Sequence, residues 1–512
     1  MSVFNGQRWQ NYGTLAGPIG SRVFAMAVSP MDGSVWIATD VGLTRYSVHD
    51  DRWTYFTRAD GLPSDQADAL AFDRGGTLYV GTQCDGIAIG SAVNSYKTWR
   101  VITGPDHPAA RAGGAGLPTD LINALLVGRN GTVYAGTTCG LARSEDGGKS
   151  WRYLRGADWA AKAAGGGNTP QAVTAATGYH ILREDYVTTL AEDSAGRIWI
   201  GYREKDYEVV DPHTGQRVMI GRDGDATAIL PISGGYALEG SYGGGLVQIQ
   251  PPQEPAGWAR GGAAAAKPVR LPGPAAPPTA ADLQRFASRV LACPAAPLLA
   301  AFLRDDWDTG GDWYGRYGRR AAVMCAARSP IDHTFVSDPT FKITGQLGPR
   351  HRPGDSLRHF VHWVRTDQPR VMYDPICGYR RESEWDDHGE TYPRTMDGPD
   401  VWIAVDVPAG VQRVSLYFVN KDGHDGVNRC RDYLIEVKPY ADRPEDSERG
   451  PTLAKARVRD FWGGVYKQFA LKGPGRFAIR ICRNNSHNTI VSGVMLDKLF
   501  GPPTRFENYP LA

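Results

Sequence analysis

The sequence predicts an all-β protein: a five-bladed β-propeller closed by its N-terminal strand, followed by a C-terminal β-sandwich of the jelly-roll type. Three observations predict this fold. A pattern of two short apolar strands around a Gly-containing turn recurs in the first half, a Pro/Ala/Gly-rich segment interrupts the chain, and alternating strands fill the second half. We expect a propeller over 1–250, a linker over 251–278, a short helical connector over 279–297 and a jelly roll over 298–505.

Five copies of the recurring pattern occupy the first half of the chain. Each copy contains an apolar strand, a turn with glycine and a second apolar strand. The five copies span 20–47, 61–89, 116–142, 182–202 and 222–249. Repeats of roughly 40–50 residues with several strands per unit are typical of propellers, in which neighbouring blades bury each other's faces. The sequence therefore predicts one blade for each copy.

An outer strand with a tryptophan completes most of these units. Trp53, Trp99 and Trp151 follow the first three copies, and a similar segment around Trp9 precedes them all, whereas no such strand follows the fifth copy. We expect the N-terminal strand to complete the last blade, because ring closure removes the exposed edge of an open sheet. The stretch 144–151 (SEDGGKSW) also fits an Asp-box hairpin, for which we expect a structural role.

The bulk composition argues against several functional classes. The 512 residues carry a net charge of +2, which gives no electrostatic reason to expect nucleic acid or an anionic membrane as a partner. No apolar run reaches the roughly 20 residues that a transmembrane helix needs, and the N-terminus lacks the features of a signal peptide. The seven cysteines have no metal-binding spacing, and their odd number favours reduced thiols over a disulfide framework.

The repeats resemble the two-component regulator propeller family. The resemblance rests on the Gly-Leu-Pro segments at 61–63 and 116–118 and on the turn glycines Gly33, Gly76, Gly131 and Gly196. It implies a ligand-sensing or scaffolding module rather than a catalyst, in an extracytoplasmic or secreted location, although the missing signal peptide leaves a cytoplasmic location open. The chain departs from the family in carrying five copies, fewer than usual, with no histidine kinase after them.

The second half resembles a carbohydrate-binding family. Alternating strands separated by turn-like joints, such as 408–410 and 473–475, predict a sandwich. The strands that we expect are 401–407, 413–419, 433–437, 477–481 and 491–499. The segments 406–425 and 492–500 resemble the galactose-binding-like jelly rolls of carbohydrate-binding and malectin-like modules. This resemblance implies glycan binding, often with a structural calcium ion.

A column of charged residues lies at the mouth of the inner strands of the repeats. The positions eleven residues before the turn glycines, with Gly234 as the turn glycine of the fifth repeat, are Arg22, Asp65, Asp120, Asp185 and Asp223. In a closed ring these side chains would face a central funnel, where they could bind a cation or ligand hydroxyls. The favoured alternative is that each Asp accepts backbone N–H groups of its own loop. Glycoside hydrolysis would need carboxylates with split pKa values, which equivalent positions in repeats disfavour.

Aromatic side chains near the start of the sandwich, with two from a later segment, form the candidate ligand site. A sugar ring presents an apolar face that aromatic rings cover, and a rim of hydroxyls that carboxylates and arginines bind. The candidate ligand-binding residues are Trp307, Trp313, Tyr314, Tyr317, Trp462 and Tyr466. The alternative is a buried hydrophobic seam in which the indole N–H groups are satisfied.

Carboxylates near both ends of the sandwich are candidate calcium ligands. Hard cations need several oxygen ligands from flexible loops. Asp308, Asp312 and Asp497 are the first option, and the acidic loop 422–428 is the second. The alternative is that these side chains serve hairpin turns and surface salt bridges. Calcium is the one cofactor that we expect, and we expect no organic cofactor.

These observations predict a non-catalytic binding protein that recognises a carbohydrate or cell-surface polymer, with the propeller as a binding platform or scaffold. A glycan-active hydrolase or lyase with its site in the propeller funnel is one alternative. A structural component of an extracellular assembly is another. The expected partner is a carbohydrate or polysaccharide, with a protein partner as a further option, and neither nucleic acid nor a membrane span is expected.

Overall fold

The computed structural model divides the chain into two compact units, Met1–Arg289 and Val290–Ala512. The residues that it describes are 2–4, 7, 9–12, 17–20, 22–47, 49–50, 52–162, 181–222, 224–232, 236–241, 244–250, 299–391, 398–421, 431–442 and 444–499. The predicted linker over 251–278 and the predicted helical connector over 279–297 lie outside these residues.

The regular structure of the first unit consists mainly of short β-strands. They are β1 (Ser2–Phe4), β2 (Trp9–Asn11), β3 (Val23–Val28), β4 (Val35–Thr39), β5 (Gly42–Ser47), β6 (Arg52–Phe56), β7 (Ala67–Phe72), β8 (Thr77–Thr82), β9 (Ile87–Ser91), β10 (Trp99–Ile102), β11 (Gly113–Ala115), β12 (Ile122–Val127), β13 (Val133–Thr137), β14 (Gly140–Ser144), β15 (Arg152–Leu154), β16 (Val187–Glu192), β17 (Ile198–Tyr202), β18 (Lys205–Asp211), β19 (Gln216–Ile220), β20 (Gly224–Asp225), β21 (Ala228–Ile232), β22 (Tyr236–Ser241) and β23 (Gly245–Ile249). A short helix, α1, spans Ala157–Lys162.

Five antiparallel sheets follow one another along the first unit. Their orders are β3-β4-β5-β6, β7-β8-β9-β10, β12-β13-β14-β15 with β11 paired to β15, β16-β17-β18-β19, and β21-β22-β23. The inner strands pack in chain order, β3 against β7, β7 against β12, β12 against β16 and β16 against β21. Apolar residues of neighbouring sheets share one core, as Trp36 of β4 and Val80 of β8 do. These sheets are the blades that the repeats predicted.

The N-terminal segment contacts the first blade. We expected the strand around Trp9 to complete the fifth blade. Among the described residues, β2 pairs with β1, and the ring of Tyr12 packs 5.5 Å from that of Trp53 in β6. The Tyr55 hydroxyl, also in β6, donates a hydrogen bond to the carbonyl of Gly17 (3.1 Å). The segment that precedes β3 is therefore anchored on the outer strand of the first blade.

The Asp-box hairpin of the third blade makes the contacts that a structural role predicts. Asp146 accepts hydrogen bonds from the N–H groups of Lys149 and Ser150 (2.9 Å each) and from the hydroxyl of Ser144 (2.8 Å). The Ser150 hydroxyl also donates to Asp146 (2.6 Å), and these donors, the Ser150 hydroxyl above all, hold the pKa of Asp146 below its usual range. Trp151 is buried in a core that the second and third blades share. The carboxylate therefore shapes the turn, and the indole packs it against the preceding blade.

The second unit is also built mainly of strands. They are β24 (Ala300–Asp306), β25 (Ala321–Arg328), β26 (Ile331–Val336), β27 (Lys342–Leu347), β28 (Arg358–Thr366), β29 (Tyr373–Asp374), β30 (Tyr379–Asp386), β31 (Val401–Phe418), β32 (Asp432–Pro439), β33 (Ala454–Arg459), β34 (Val465–Cys482), β35 (Ile490–Val491) and β36 (Gly493–Lys498). One short helix, α2, spans Pro444–Arg449. In the described part of the chain, no helix is long and apolar enough to cross a bilayer.

Two long strands organise this unit. β31 and β34, each of 18 residues, pair with one another over almost their whole length. The first part of β31 also pairs with β27 and its last part with β36, whereas β24 pairs with the first part of β34 and β32 with its last part. The result is a nine-stranded sheet, and β28, β29, β30 and β35 form a separate four-stranded sheet.

The joints 408–410 and 473–475 are bends within long strands, not turns between separate strands as the sequence suggested. Gly410 has φ of +98° and pairs with Gly473, where a Cβ atom would lie 2.0 Å from the carbonyl oxygen of Pro408. Only glycine allows the two backbones to approach this closely. The pairing of β31 with β34 is therefore irregular at the bend but continues beyond it.

A large apolar core joins the two sheets of the second unit. It contains Trp385 of β30 and Val491 of β35 together with Ile403, Leu416 and Phe469 of the nine-stranded sheet, all of them buried. Two sheets that pack through one apolar core are a β-sandwich, which is the architecture that the alternating strands predicted.

Candidate functional site

The predicted funnel carboxylates are engaged with the backbone. Asp65, Asp120 and Asp185 each accept a hydrogen bond from a backbone N–H group, at 2.7, 2.6 and 2.9 Å. Each donor is the second residue after the outer strand of the preceding blade, which ends at β6, β10 or β15. The three donors are Arg58, Gly104 and Gly156. Each carboxylate therefore fastens the end of one blade to the start of the next.

Asp185 is also held by a buried arginine. Its carboxylate accepts hydrogen bonds from Nε of Arg155 at 2.8 Å and from Nη2 at 2.5 Å, and both side chains are buried. Arg22, at the equivalent position of the first repeat, lies over the ring of Phe24 at 5.8 Å. Asp223 lies outside the described residues. These contacts favour the structural role of the column over ligand binding in a funnel.

Half of the predicted aromatic site is hydrophobic core. Trp313, Tyr317 and Tyr466 are at most 5% exposed. The rings of Tyr317 and Tyr466 stack with their centres 4.5 Å apart, and the indole N–H of Trp313 donates to the carbonyl of Tyr373 (2.8 Å). The surrounding core covers these three rings, so they present no surface to a sugar. They form the buried seam that was the alternative interpretation.

The other three predicted aromatic residues do not form a common platform. Tyr314 is 65% exposed, whereas Trp307 is partly buried against the apolar core. Trp462 is partly buried as well, and its carbonyl accepts a hydrogen bond from Nη1 of Arg370 (2.9 Å). Tyr314 is thus the one strongly exposed ring of the predicted set.

The three candidate calcium ligands at the ends of the sandwich are not assembled into a metal site. Asp497 is buried and accepts hydrogen bonds from two backbone N–H groups and from Arg413 (2.8 Å). Asp312 pairs with an arginine, and Asp308 is exposed. Among the described residues, no group of three or more His, Cys, Asp or Glu side chains could hold a metal ion. The second option, the loop 422–428, lies outside those residues.

Strand β30 carries a row of carboxylates that the sequence reasoning missed. Glu382, Glu384 and Asp386 occupy alternate positions and therefore share one side of the strand, opposite to Trp385, which lies in the core. All three carboxylates are buried. A buried row of like charges is costly unless hydrogen-bond donors or cations compensate each one. The i, i+2, i+4 spacing in YRRESEWD (379–386) was the signal that could have found it.

Two of the three carboxylates have donors, whereas the described residues provide none for the third. Glu384 forms an ion pair with the buried Lys421, and Asp386 accepts a side-chain amide N–H at 2.7 Å. Within the described ranges, no N–H or O–H group hydrogen-bonds Glu382, although this residue is only 4% exposed. Burial raises the pKa of Glu382, and the charges of Lys421 and His362 offset that rise only in part.

An exposed tryptophan lies next to Glu382. Trp363 of β28, at the edge of the four-stranded sheet, is the cross-strand partner of Glu382. Directly paired residues lie on the same face, with Cβ atoms about 4.5–5.5 Å apart. The indole is 59% exposed. We call Trp363, Glu382, Glu384 and Lys421 the Trp363 face; it combines an open aromatic ring, a buried carboxylate without a donor and a buried ion pair.

Comparison with known proteins bears on the first unit. Residues 181–204 match the two component regulator propeller family. The matched segment contains β16 and β17, the inner strands of the fourth blade. The matched segment also contains Asp185, the carboxylate that Arg155 holds.

Solved structures with similar folds include bacterial extracellular domains. The extracellular domain of a hybrid two component system from B. thetaiotaomicron is 17% identical, with a TM-score of 0.36, over 50% of this chain and 30% of that one. Another such domain from the same organism is 14% identical, with a TM-score of 0.36, over 47% and 30%. PorZ, a surface component of the type-IX secretion system of Porphyromonas gingivalis, is 16% identical, with a TM-score of 0.34, over 46% and 33%. The chain thus spans about a third of the length of these proteins. The comparison with curated proteins gave no match.

Removing the carboxylate of Asp185 should destabilise the propeller. Asp185→Ala leaves the buried guanidinium of Arg155 without its partner, and breaking a buried pair costs about 3–5 kcal/mol. Asp65→Ala removes an equivalent but more exposed carboxylate and should cost about 1 kcal/mol. Urea unfolding of both variants, followed by tryptophan fluorescence, measures the difference. Equal losses would show that the buried pair does not fasten these blades.

Proposed function

We propose that the chain is a non-catalytic binding protein whose C-terminal sandwich recognises a saccharide on the Trp363 face, with the propeller as a scaffold. The observation that carries this proposal is Glu382. It is a buried carboxylate without a hydrogen-bond donor among the described residues, and it lies opposite an exposed indole. An extracytoplasmic location is part of the proposal, as the resemblance to regulator propellers implies.

The chemistry of a sugar ring fits this pair of residues. The C–H face of a pyranose can cover the indole of Trp363, because aromatic rings and sugar C–H groups are both apolar surfaces. A hydroxyl on the rim of the same ring can then donate to Glu382, which supplies the hydrogen bond that the fold leaves out. The Trp363 face would thus contact both the apolar side and a hydroxyl group of one sugar ring.

Cationic side chains near Glu382 supply donors for other ligand oxygens. Arg370 and His362 lie close enough to lower the pKa of Glu382, against the larger raising effect of burial. Arg370 also donates to the carbonyl of Trp462 (2.9 Å), which restrains its guanidinium. Because N–H groups donate to ring and glycosidic oxygens, this composition suits a polyhydroxylated ligand.

A glycan-active enzyme is the second candidate, and the environments of Glu382 and Glu384 favour it. Burial raises the pKa of Glu382, whereas Lys421 compensates the charge of Glu384. A proton-donating acid beside an ionised carboxylate is the arrangement that glycoside hydrolases use. This alternative now lies on the sandwich, not in the propeller funnel. Release of reducing sugar from a bound glycan, abolished in Glu382→Gln, would replace the binding proposal.

Truncating the exposed indole should remove glycan binding. A glycan array probed with the full chain identifies the best ligand, and titration calorimetry then compares the variants. We expect Trp363→Ala to weaken binding by about 10-fold or more, roughly 1.4 kcal/mol, because the stacking surface is lost. Tyr314→Ala, which removes an equally exposed ring elsewhere on the sandwich, should bind like the wild type. A larger loss of affinity in Tyr314→Ala than in Trp363→Ala would contradict the proposal.

Neutralising Glu382 should strengthen the fold and weaken binding at the same time. The folded chain binds the Glu382 proton more tightly than the unfolded chain, because the pKa is raised in the folded state. Stability is therefore highest below the unfolded pKa and falls as the pH rises through the folded pKa. Glu382→Gln lacks this fall, so urea unfolding at pH 8 should show a higher midpoint than the wild type. A lower midpoint with unchanged glycan affinity would show that Glu382 serves the fold instead.

A further inference from the structure

The opposite side of β30 holds a pair of arginines that the Trp363 face does not use. Tyr379 and Arg381 alternate with Glu382 and therefore point to the other side of the strand. The guanidinium carbons of Arg365 and Arg381 lie 4.7 and 5.9 Å from the centre of the Tyr379 ring. The ring of Tyr379 thus makes cation–π contacts with both arginines.

Among the residues that the structure places, no carboxylate is paired with these guanidinium groups. In the part of the chain that the structure describes, neither Arg365 nor Arg381 forms an ion pair. Arg381 donates to the carbonyl of Ala327 and to the Tyr379 hydroxyl (3.4 Å), and its buried Nε has no acceptor. We call Arg365, Tyr379 and Arg381 the arginine face.

A carboxylate on the neighbouring strand β26 is already engaged. Asp332 accepts the N–H of Ala326 (2.7 Å) and the indole N–H of Trp385 (2.8 Å), and Nε2 of His359 lies 3.3 Å from it. Its charge is therefore shared among three groups that do not belong to the arginine face.

Two fully buried arginines elsewhere in the sandwich are paired with carboxylates. Arg457 lies 2.6 Å from Asp432, and Arg483 lies 2.8 Å from Asp387. Two guanidinium groups held on one ring without an anion repel each other, and a planar guanidinium is the side chain best suited to bind a carboxylate or sulfate group. The arginine face is thus built to accept an anionic group from outside the chain.

We propose that the arginine face binds carboxylate or sulfate groups of an anionic polysaccharide whose sugar rings stack on Trp363. The inference rests on the proposed function and narrows its ligand class. β28 lies at the edge of its sheet, and register irregularities separate Trp363 from the end of that strand. A polymer that follows this edge can therefore contact Trp363 on one side and Arg365 on the other.

The test compares four polymers on the full chain: polygalacturonate, dextran sulfate, neutral dextran and single-stranded DNA. We expect an anionic polysaccharide to bind at least about 10-fold more tightly than neutral dextran at low salt, with an affinity that falls as salt rises. The double variant Arg365→Gln/Arg381→Gln should remove that advantage. Arg449→Gln is the matched control, because it removes an equally positive but 81% exposed side chain elsewhere.

The outcomes distinguish the proposed saccharide binding from the inferred role of the arginine face. Binding of polygalacturonate alone identifies carboxylates as the recognised groups, and binding of dextran sulfate alone identifies sulfates. A third outcome is that neutral and anionic polysaccharides bind equally, and that Trp363→Ala loses this binding whereas the double variant keeps it. That outcome would overturn the arginine inference and keep the proposed function. DNA that binds as tightly as the polysaccharides, with the same dependence on both arginines, would overturn the saccharide assignment. A chain that binds none of the four would overturn both.

Discussion

A carboxylate taken out of water needs hydrogen-bond donors or a cation, and this requirement shapes both units of the protein. In the propeller, Asp185 is buried but accepts hydrogen bonds from Arg155 and from a backbone N–H. In the sandwich, Asp497 accepts two backbone N–H groups and Arg413. Because each pairing joins segments that are distant in the chain, compensating the charge also fixes the fold. Glu382 is 4% exposed and has no such donor among the described residues, which is why the proposed ligand is placed beside it.

The same requirement separates structural residues from candidate binding residues. Asp65 and Asp120 occupy equivalent positions in neighbouring repeats and accept equivalent backbone N–H groups, so their recurrence reflects how blades are joined. Burial likewise separates aromatic residues of the core from aromatic residues that a ligand could reach. Trp313 is covered by core, whereas Trp363 stands open at a sheet edge. The proposed recognition surface is therefore on the four-stranded sheet, where an exposed indole lies beside a carboxylate that has no hydrogen-bond donor among the described residues.

The sequence predicted what depends on local pattern. Turn glycines such as Gly76 and Gly131 have positive φ, and apolar strands flank them, so the blades and their order could be predicted from the repeats. Alternation over 401–407 likewise predicted a strand of the sandwich. What could not be predicted depends on pairing between distant segments. The cross-strand pair of Trp363 and Glu382 sits between two register irregularities, which no spacing in the sequence reveals. The aromatic cluster near Trp313 has the composition of a sugar site, but composition does not tell an open surface from a seam covered by core.

Amide hydrogen exchange of the full chain, with and without its best polysaccharide ligand, tests the central claim most directly. Ligand contact slows exchange where it shields or rigidifies the backbone. The account predicts new protection in β28 and β30, over 358–366 and 379–386, with little change at 305–317 or in the propeller repeats. Protection confined to 305–317 or to the repeats would contradict it, because the ligand would then be bound by the residues that the structure assigns to the core and to the joints between blades.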